Sequence, residues 1–217
     1  MWQAIHKWLA YGQWSRPLSA SPERRENPPE IAMPQLSPAI FLDRDGTLIE
    51  ERHYLGDPDQ VVLLAGAVEG LKAMAQLGLP LVVVTNQSGI ARGYFTLEAA
   101  HAVNQRVADL LAAQGIIING WYLCPHGPDD PACHCRKPLP GMIEAAASDL
   151  HLDPSRSVMI GDKKCDLDLA EAVGAAALLV TTGHGHEDID YALGLNIPVC
   201  RDLVEASDHL KRLMIQA

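Results

Sequence analysis

Side chains able to do chemistry follow three short apolar runs of the sequence, at the point where each run ends. Asp43 and Asp45 follow the first run, Thr85 follows the second, and Asp162 follows a later one. Carboxylates gathered at one edge repel each other, and a hard cation such as Mg²⁺, which takes oxygen ligands, is the usual remedy. We therefore expect Asp43 and Asp162 to be magnesium ligands, although any single Asp in such a position can simply cap the next helix or turn.

The pair Asp43 and Asp45 suggests covalent phosphoryl transfer. An ionised carboxylate can attack phosphorus while a carboxyl two residues further on exchanges protons with the reacting oxygens, so Asp43 is the candidate nucleophile. The phosphoryl group also needs hydrogen-bond donors and a cation, which Thr85, Asn86 and Lys137 would supply. Asp-x-Asp-Gly also occurs in calcium-binding EF-hand loops, but neither register here supplies the glycine, the first ligand and the terminal glutamate together.

A cysteine-rich loop has the spacing of a metal site. One residue separates Cys124 from His126 and Cys133 from Cys135, and six residues lie between the two pairs. Three thiolates and one imidazole form the tetrahedral ligand set of a structural Zn²⁺ site, which leaves no position open for catalysis. We expect these four residues to be the zinc ligands. His134 is the rival of His126, but it lies between two ligating cysteines, and a loop of free thiols is the remaining alternative.

These residues need a framework that brings them together. From residue 38 onward, short apolar runs alternate with helical patterns, which predicts a doubly wound α/β fold with a mostly parallel sheet covered on both faces. In such a sheet the ligand site lies beyond the carboxyl ends of the strands. The predicted strands span residues 39–42, 79–84, 120–123, 158–160 and 177–180, and the predicted helices span residues 68–77, 97–114, 141–150, 167–173 and 203–214.

The order of these motifs resembles that of the haloacid dehalogenase superfamily of aspartate-dependent phosphatases. The motifs are Asp43-x-Asp45-Gly-Thr, the strand-end Thr85, Lys137 and Gly-Asp162. The resemblance implies a Rossmann-like fold in which Asp43 is the nucleophile and Asp45 the general acid and base. It also implies that Thr85 and Lys137 stabilise the phosphoryl group, and that Mg²⁺ is held by Asp43, Asp162 and the backbone carbonyl of Asp45.

Within the superfamily, the cysteine loop and its neighbouring segments resemble the heptose 1,7-bisphosphate phosphatases, and histidinol-phosphate phosphatases share much of the pattern. The resemblance covers roughly residues 38–180 and implies a fold without a large cap domain. It also implies a set of substrate-binding residues beyond the motif positions. They are Glu51, Arg52, His53, Tyr54, Thr85, Asn86, Gln87, Ser88, Arg136, Lys137 and Lys163.

The residues and the resemblance together imply a Mg²⁺-dependent phosphoric monoester hydrolase stabilised by Zn²⁺. Its reaction would be removal of the 7-phosphate of D-glycero-D-manno-heptose 1,7-bisphosphate through an aspartyl-phosphate. A histidinol-phosphate phosphatase with the same mechanism is an alternative, which residues 51–54 and Arg136 would decide. A phosphosugar-binding module has no use for the proton-transfer group Asp45, and a phosphate-accepting signalling domain does not explain the cysteine loop.

Composition bears on location and partners. The 217 residues carry a net charge of −10, which would repel nucleic acid and anionic membrane surfaces. No apolar run approaches the roughly 20 residues needed to cross a bilayer. Cysteines at metal-ligand spacing favour a reducing compartment. We therefore expect a cytoplasmic protein, monomeric or a small homo-oligomer, whose partner is a small phosphorylated sugar rather than a nucleic acid or a membrane.

The chain divides by composition into two parts. Residues 1–36 are predicted to be an N-terminal extension and linker, and residues 37–217 a phosphatase domain with the zinc loop at 124–135. Interrupted apolar runs argue against a signal peptide. The extension holds three tryptophans, and the helical spacing of Trp2, Ile5 and Leu9 favours docking on the protein or a partner subunit over a membrane-surface helix.

The remaining titratable residues are predicted to have structural positions. Cys165 and Cys200 are expected to be core thiols. His184 and His186 lie in a Gly-His-Gly-His turn, where an exposed loop is favoured over a metal site. Asp166 is expected to support a lysine or the geometry of the metal site.

Overall fold

The computed structural model describes residues 36–216 and contains a six-stranded sheet with helices on both faces. The strands are β1 (Ile40–Leu42), β2 (Leu81–Asn86), β3 (Gly120–Cys124), β4 (Val158–Gly161), β5 (Ala176–Val180) and β6 (Val199–Cys200). The helices of the described part are α1 (Ala67–Ala75), α2 (Leu97–Ala112), α3 (Gly141–Leu150), α4 (Lys164–Val173), α5 (Ile189–Gly194) and α6 (Leu203–Gln216).

All neighbouring strands of the sheet are parallel, in the order β3-β2-β1-β4-β5-β6. The chain builds outward from β1 to β3 and then crosses back to place β4 on the other side of β1. Leu42 at the end of β1 pairs with Val83 on one side and Ile160 on the other. Since ligands bind where the winding direction reverses, the residues that follow β1 and β4 lie at the expected point of this fold.

The central strands are buried on both faces, which explains their continuous apolar runs. Side chains alternate between the faces. Ile40 and Leu42 join a core formed with α1, α2 and α6, whereas Phe41 joins a second core formed with α3 and α4. The two cores fix β1 from both sides, so the segment that follows Leu42 emerges from a rigid strand.

Helix α4 begins directly after the end of β4, and its first turn carries a buried acid. The carboxylate of Asp166 accepts a hydrogen bond of 3.1 Å from the backbone N–H of Lys163, which satisfies a donor that the helix leaves unpaired. The helix ends at Gly174, which adopts the left-handed conformation at φ 72°. This local structure places Asp166 beside Asp162 rather than on the surface.

The predicted fold class is confirmed, and the five predicted strands and five predicted helices are present with shifts at their ends. Helix α4 begins at Lys164, three residues before the predicted start. The apolar pattern did not reveal the first turn, because that turn carries Lys164 and Asp166. Strand β6 and helix α5 were not predicted. The described residues contain no large cap domain. No helix within residues 36–216 is long and apolar enough to span a membrane.

The predicted division at residue 36 stays a prediction, since residues 1–35 lie outside the described part of the chain. The predicted docking of a helix through Trp2, Ile5 and Leu9 lies outside it as well.

Candidate active site

A cavity of about 270 Å³ opens at the carboxyl ends of the central strands. Four of its residues, Leu55, Gly89, Cys165 and His184, were not predicted to be site residues. The others were predicted: Asp43, Asp45, Glu51, His53, Tyr54, Thr85, Asn86, Gln87, Ser88, Arg136, Lys137 and Lys163.

Asp43 and Lys137 form a buried ion pair at the cavity. The Lys137 ammonium lies 2.6 Å from Asp43 Oδ1 and 2.7 Å from Asp166 Oδ1, and it donates to the carbonyl of Val84 at 2.9 Å. Burial lowers the pKa of Lys137, but the carboxylates of Asp166 and Asp43 outweigh burial and raise the pKa above its usual range. The lysine therefore remains a cation and fixes one oxygen of Asp43.

Asp162 is a buried carboxylate with an unsatisfied oxygen. Its Oδ2 accepts a hydrogen bond of 2.8 Å from the backbone N–H of His184, whereas its Oδ1 has no partner in the described residues. Burial and the nearby charge of Asp43 raise the pKa of Asp162 to about 8. Oxygens of Asp43, Asp162 and Asp166 lie within 4.8 Å of one another. A cluster of carboxylates with one free buried oxygen fits a hard divalent cation.

The backbone closes tightly around Asp162. Gly46 at φ +81° and Gly183 at φ +56° both adopt the left-handed conformation. A Cβ at either position would approach Asp162 Oδ2 to 2.2 or 2.3 Å. The hydroxyl of Thr182 also donates to the carbonyl of Gly46 at 2.6 Å. The two loops can meet over this carboxylate because both glycines lack a side chain.

Asp45 is partly buried and receives several donors. Gln87 Nε2 lies 2.8 Å and Thr85 Oγ1 3.4 Å from Asp45 Oδ2. The guanidinium of Arg44 contacts both carboxylate oxygens at 3.0 Å. Arg44 was not among the predicted site residues. Its place between two aspartates is the sequence signal that could have identified it, because a buried guanidinium needs acceptors such as carboxylates.

Asn86 forms two hydrogen bonds with the backbone of Lys137, the candidate catalytic lysine. Its Oδ1 accepts from the Lys137 N–H at 2.9 Å, and its Nδ2 donates to the Lys137 carbonyl at 3.2 Å. The end of β2 is thereby joined to the segment that follows the cysteine loop. Asn86 thus positions Lys137 as well as lining the cavity.

The outer part of the cavity carries charged and aromatic side chains. Lys163 Nζ lies 2.8 Å from Glu51 Oε2, and both side chains are partly exposed. Tyr54 packs against Tyr94, with ring centroids 4.6 Å apart. Arg52 is the predicted substrate-binding residue that does not line the cavity: its guanidinium pairs with Glu50 at 2.8 Å.

The cysteine loop brings its four predicted ligands together. Cys124 Sγ lies 3.6 Å from Cys133 Sγ, which lies 3.7 Å from Cys135 Sγ. His126 Nδ1 lies 3.5 Å from the Cys124 sulfur and 3.4 Å from the Cys135 sulfur. With Zn–S bonds of about 2.3 Å, the edge of a tetrahedral zinc site is about 3.8 Å between sulfurs and shorter between sulfur and nitrogen. The spacing is therefore compatible with Zn²⁺.

Two further observations concern this cluster. Burial raises the pKa of the Cys133 thiol, but the backbone amides of Arg136 and Cys135 outweigh burial and lower it to about 7. Burial raises the pKa of the Cys124 and Cys135 thiols, so without a metal the thiolate that a metal requires is favoured only at Cys133. The rival ligand His134 is exposed and is not part of the cluster.

His184 lies in a partly exposed loop, as expected, and its backbone N–H also contacts Asp162, so this residue lines the cavity. The structure differs from the sequence-based expectation at Cys165, which lines the cavity instead of lying in the core. His184 reaches the site because it follows β5, which ends beside β4, whereas Cys165 reaches it from the first turn of α4, directly after β4. Cys200 is buried, and Asp166 contacts Lys137, as expected.

Comparisons with known proteins agree with this geometry. A family model described as HAD-hydrolase-like matches residues 134–206. The D-glycero-β-D-manno-heptose-1,7-bisphosphate 7-phosphatase of Yersinia pestis is 39% identical over 173 residues, which cover 74% of this chain and 92% of the relative. The enzyme of that name from Escherichia coli K12 is 40% identical over 153 residues, covering 67% of this chain and 80% of the relative.

A solved structure is similar over most of the chain. The D,D-heptose 1,7-bisphosphate phosphatase of Bordetella bronchiseptica, solved with magnesium and phosphate, has a TM-score of 0.74 and 34% identity, and the match covers 81% of this chain and 98% of that one. Motifs, sheet topology and relatives therefore agree. The chain belongs to the haloacid dehalogenase-like hydrolases, and it is a phosphoric monoester hydrolase of the family that includes the heptose-bisphosphate phosphatases.

Proposed function

We propose that the chain is a Mg²⁺-dependent phosphatase that removes the 7-phosphate of D-glycero-β-D-manno-heptose 1,7-bisphosphate through a phosphorylated Asp43. The observation that carries this proposal is the arrangement of charged side chains at the cavity and in the buried region next to it. Asp43 is paired with Lys137, and it lies beside the unsatisfied oxygen of Asp162. The names of the relatives support the choice of substrate and anomer.

The proposed reaction has two steps on the same aspartate. A carboxylate oxygen of Asp43 attacks phosphorus while the carboxyl of Asp45 donates its proton to the leaving sugar oxygen. Water then attacks the aspartyl-phosphate, and Asp45 takes the proton of that water. Thr85 and Lys137 stabilise the phosphoryl oxygens, since both line the cavity next to Asp43 and Asp45.

The residues present fit a catalytic Mg²⁺. The carboxylates of Asp43 and Asp162 and the backbone carbonyl of Asp45 would hold it, and Asp166 lies close behind them. When bound, the ion supplies positive charge that offsets the phosphoryl oxygens and the crowded carboxylates. Without an added cation, the single buried charge of Lys137 faces three buried carboxylates.

A structural Zn²⁺ would be held by the four residues of the cysteine loop. They are Cys124, His126, Cys133 and Cys135. The backbone N–H of Arg136 contacts Cys133 Sγ at 3.2 Å, so the metal site would anchor Arg136 and the adjacent Lys137. We propose that zinc acts on catalysis only through the position of these two residues.

The wall of the cavity supports a substrate with a second phosphate. Arg136 and Lys163 both line the cavity, and a bisphosphate needs cations away from the reacting centre as well as within it. Glu51 pairs with Lys163 and holds its ammonium towards the cavity. Away from the reacting phosphate, histidinol phosphate carries an ammonium group, whereas the heptose bisphosphate carries a second phosphate. The two substrates therefore require opposite charges in the cavity wall.

The test is phosphate release with Mg²⁺ from four compounds, ranked by kcat/KM. The panel contains the β and α anomers of heptose 1,7-bisphosphate, histidinol phosphate and fructose 1,6-bisphosphate. We expect the β anomer to lead by at least about tenfold, with the 1-phosphate retained on the product in the ³¹P spectrum. The control is Asp43→Asn, which should keep the folded circular-dichroism spectrum and release no phosphate.

Each outcome of this panel has a defined meaning. A lead for histidinol phosphate would reverse the substrate and leave the mechanism standing. Appreciable turnover by Asp43→Asn would overturn the assignment of the nucleophile. No phosphate release from any of the four compounds would favour a phosphosugar-binding module.

A further inference from the structure

Arg44 is fully buried, with 0% of its surface exposed. Arginine is rarely buried to this extent unless all its charge is paired. Its Nη1 donates to Asn104 Oδ1 on helix α2 at 2.7 Å, and its Nε and Nη2 each contact the Asp45 carboxylate at 3.0 Å. The guanidinium thus links the core side of a helix to a side chain that faces the cavity.

The two oxygens of Asp45 are in different environments. Oδ2 is contacted by Gln87 Nε2, by Thr85 Oγ1 and by Arg44 through both Nε and Nη2, the latter at 2.9 Å, whereas Oδ1 is contacted by Arg44 Nη2 alone among the described residues. A carboxylate oxygen has two acceptor sites. Oδ1 therefore keeps capacity for a proton, and the two-point contact of the planar guanidinium decides which way that oxygen points.

We propose that Arg44 is a positioning residue that orients the Asp45 carboxyl for proton transfer, and that Asn104 fixes Arg44 from helix α2. The proposal rests on the proposed role of Asp45 as general acid and base. In that step the P–O bond breaks, the leaving oxygen keeps the bonding electron pair, and it accepts the proton of Asp45. Asp45 is left as a carboxylate beside the guanidinium, whose charge stabilises it.

Asn104→Leu is the variant that tests this arrangement. It removes the acceptor of Arg44 Nη1 without touching the cavity, because Asn104 is not among the residues that line it. Asn104→Asp keeps an oxygen acceptor at that place and serves as the conservative rescue. Val107→Ala is the matched control, since Val107 lies one turn further along α2 and is buried in the core.

The readout is the dependence of kcat/KM on the leaving group, because kcat/KM reports the step in which the leaving group departs and not the later hydrolysis, in which Asp45 is the base for every substrate. A sugar alkoxide needs a proton as it departs, whereas p-nitrophenolate leaves without one, so misplacing the general acid slows formation of the aspartyl-phosphate only from the sugar substrate. We expect Asn104→Leu to lower kcat/KM on the heptose bisphosphate by about tenfold and kcat/KM on p-nitrophenyl phosphate by less than about threefold. Asn104→Asp should recover most of the loss, and Val107→Ala should lower the melting temperature without changing the ratio of the two kcat/KM values.

Equal losses on both substrates, or no loss on either, would overturn the role of Arg44. Asp45→Asn separates this failure from a failure of the proposed mechanism. If Asp45→Asn discriminates between the two leaving groups and Asn104→Leu does not, only the positioning role is wrong. If Asp45→Asn does not discriminate either, the general-acid assignment itself is wrong, and the positioning role falls with it.

Discussion

We expect the buried carboxyl of Asp162 to couple the stability of the protein to pH and, through the proposed Mg²⁺ site, to Mg²⁺. Burial and the charge of Asp43 raise its pKa to about 8 in the folded protein, against about 3.9 for an unfolded chain. Between these values the folded state holds a proton that the unfolded state has lost, so the free energy of unfolding falls as pH rises. We predict that the metal-free protein loses thermal stability from about pH 5 to pH 8, and that Mg²⁺ stabilises it more at pH 8 than at pH 6.

Thermal unfolding at several pH values, in Mg²⁺-free buffer and with added Mg²⁺, checks this prediction. Asp162→Asn is the control, because it removes the titrating group and should flatten the upper part of the profile. Asp166 contributes at lower pH, since burial and the charge of Asp43 raise its pKa to about 6 despite the opposing charge of Lys137. A melting temperature that is independent of pH over this range would contradict the prediction.

The sequence predicted which side chains lie close together where these side chains follow the ends of neighbouring strands. Asp43 and Asp162 follow β1 and β4, which are neighbours, so their proximity follows from the parallel sheet. Arg44 was missed although it stands between two aspartates, because the sequence does not show that its side chain turns inward and is buried. His184 was predicted to lie in an exposed loop, and the contact of its backbone N–H with Asp162 was not predicted, because it depends on how the loop after β5 folds.

At the scale of elements, the cysteine loop connects β3 to α3 and carries Arg136 and Lys137 into the site. We predict that Cys135→Ser loses the zinc, lowers the melting temperature and abolishes turnover of the heptose bisphosphate. A structural zinc site contributes folding free energy on the order of 10 kcal/mol, and the proposed site would anchor a loop that is rich in proline. The activity should fall because the Arg136 N–H would lose its contact with a Cys133 sulfur held in place by the proposed metal.

Metal analysis of freshly purified protein, with melting temperature and phosphate release, measures these effects. The matched control is Cys200→Ala, because Cys200 is a buried thiol outside the metal cluster and should keep its zinc. Protein that contains no zinc as purified, or a Cys135→Ser variant with unchanged zinc content, would contradict the assignment.

The elements that sequence patterns identified are those long enough to show a period or a continuous apolar run. Residues 81–84 are four consecutive apolar residues of a strand buried on both faces, and α2 has a clear buried face. β6 consists of Val199 and Cys200 alone, and α5 spans six residues, so neither is long enough for such a signal. Both depend on packing against β5 and α4, which local patterns do not report.

At the scale of the whole molecule, the site is assembled from four segments that are far apart in the sequence. Asp43, Thr85, Lys137 and Asp162 meet because the sheet order places β1 between β2 and β4, and because the cysteine loop returns Lys137 to the same edge. The reaction class could therefore be predicted from motif order. The substrate was predicted only through the family resemblance, because the proposed substrate-binding residues Glu51, Arg136 and Lys163 come together at the cavity wall only when the chain folds.

We predict that removal of the N-terminal segment affects stability or assembly and not catalysis. Among the described residues, those that line the cavity all lie at Asp43 or later, so removal of residues 1–35 should leave kcat/KM within about twofold. Since Trp2, Ile5 and Leu9 in this segment are expected to dock on the protein or on a second subunit, the truncated chain should melt several degrees lower or change its oligomeric state. Thermal unfolding and size-exclusion chromatography with light scattering measure both, and a full-length variant with Trp2, Ile5 and Leu9 replaced by serine should reproduce the effect. Identical melting temperature and mass for all three proteins would contradict docking, whereas loss of activity on truncation would mean that the segment contributes to the site.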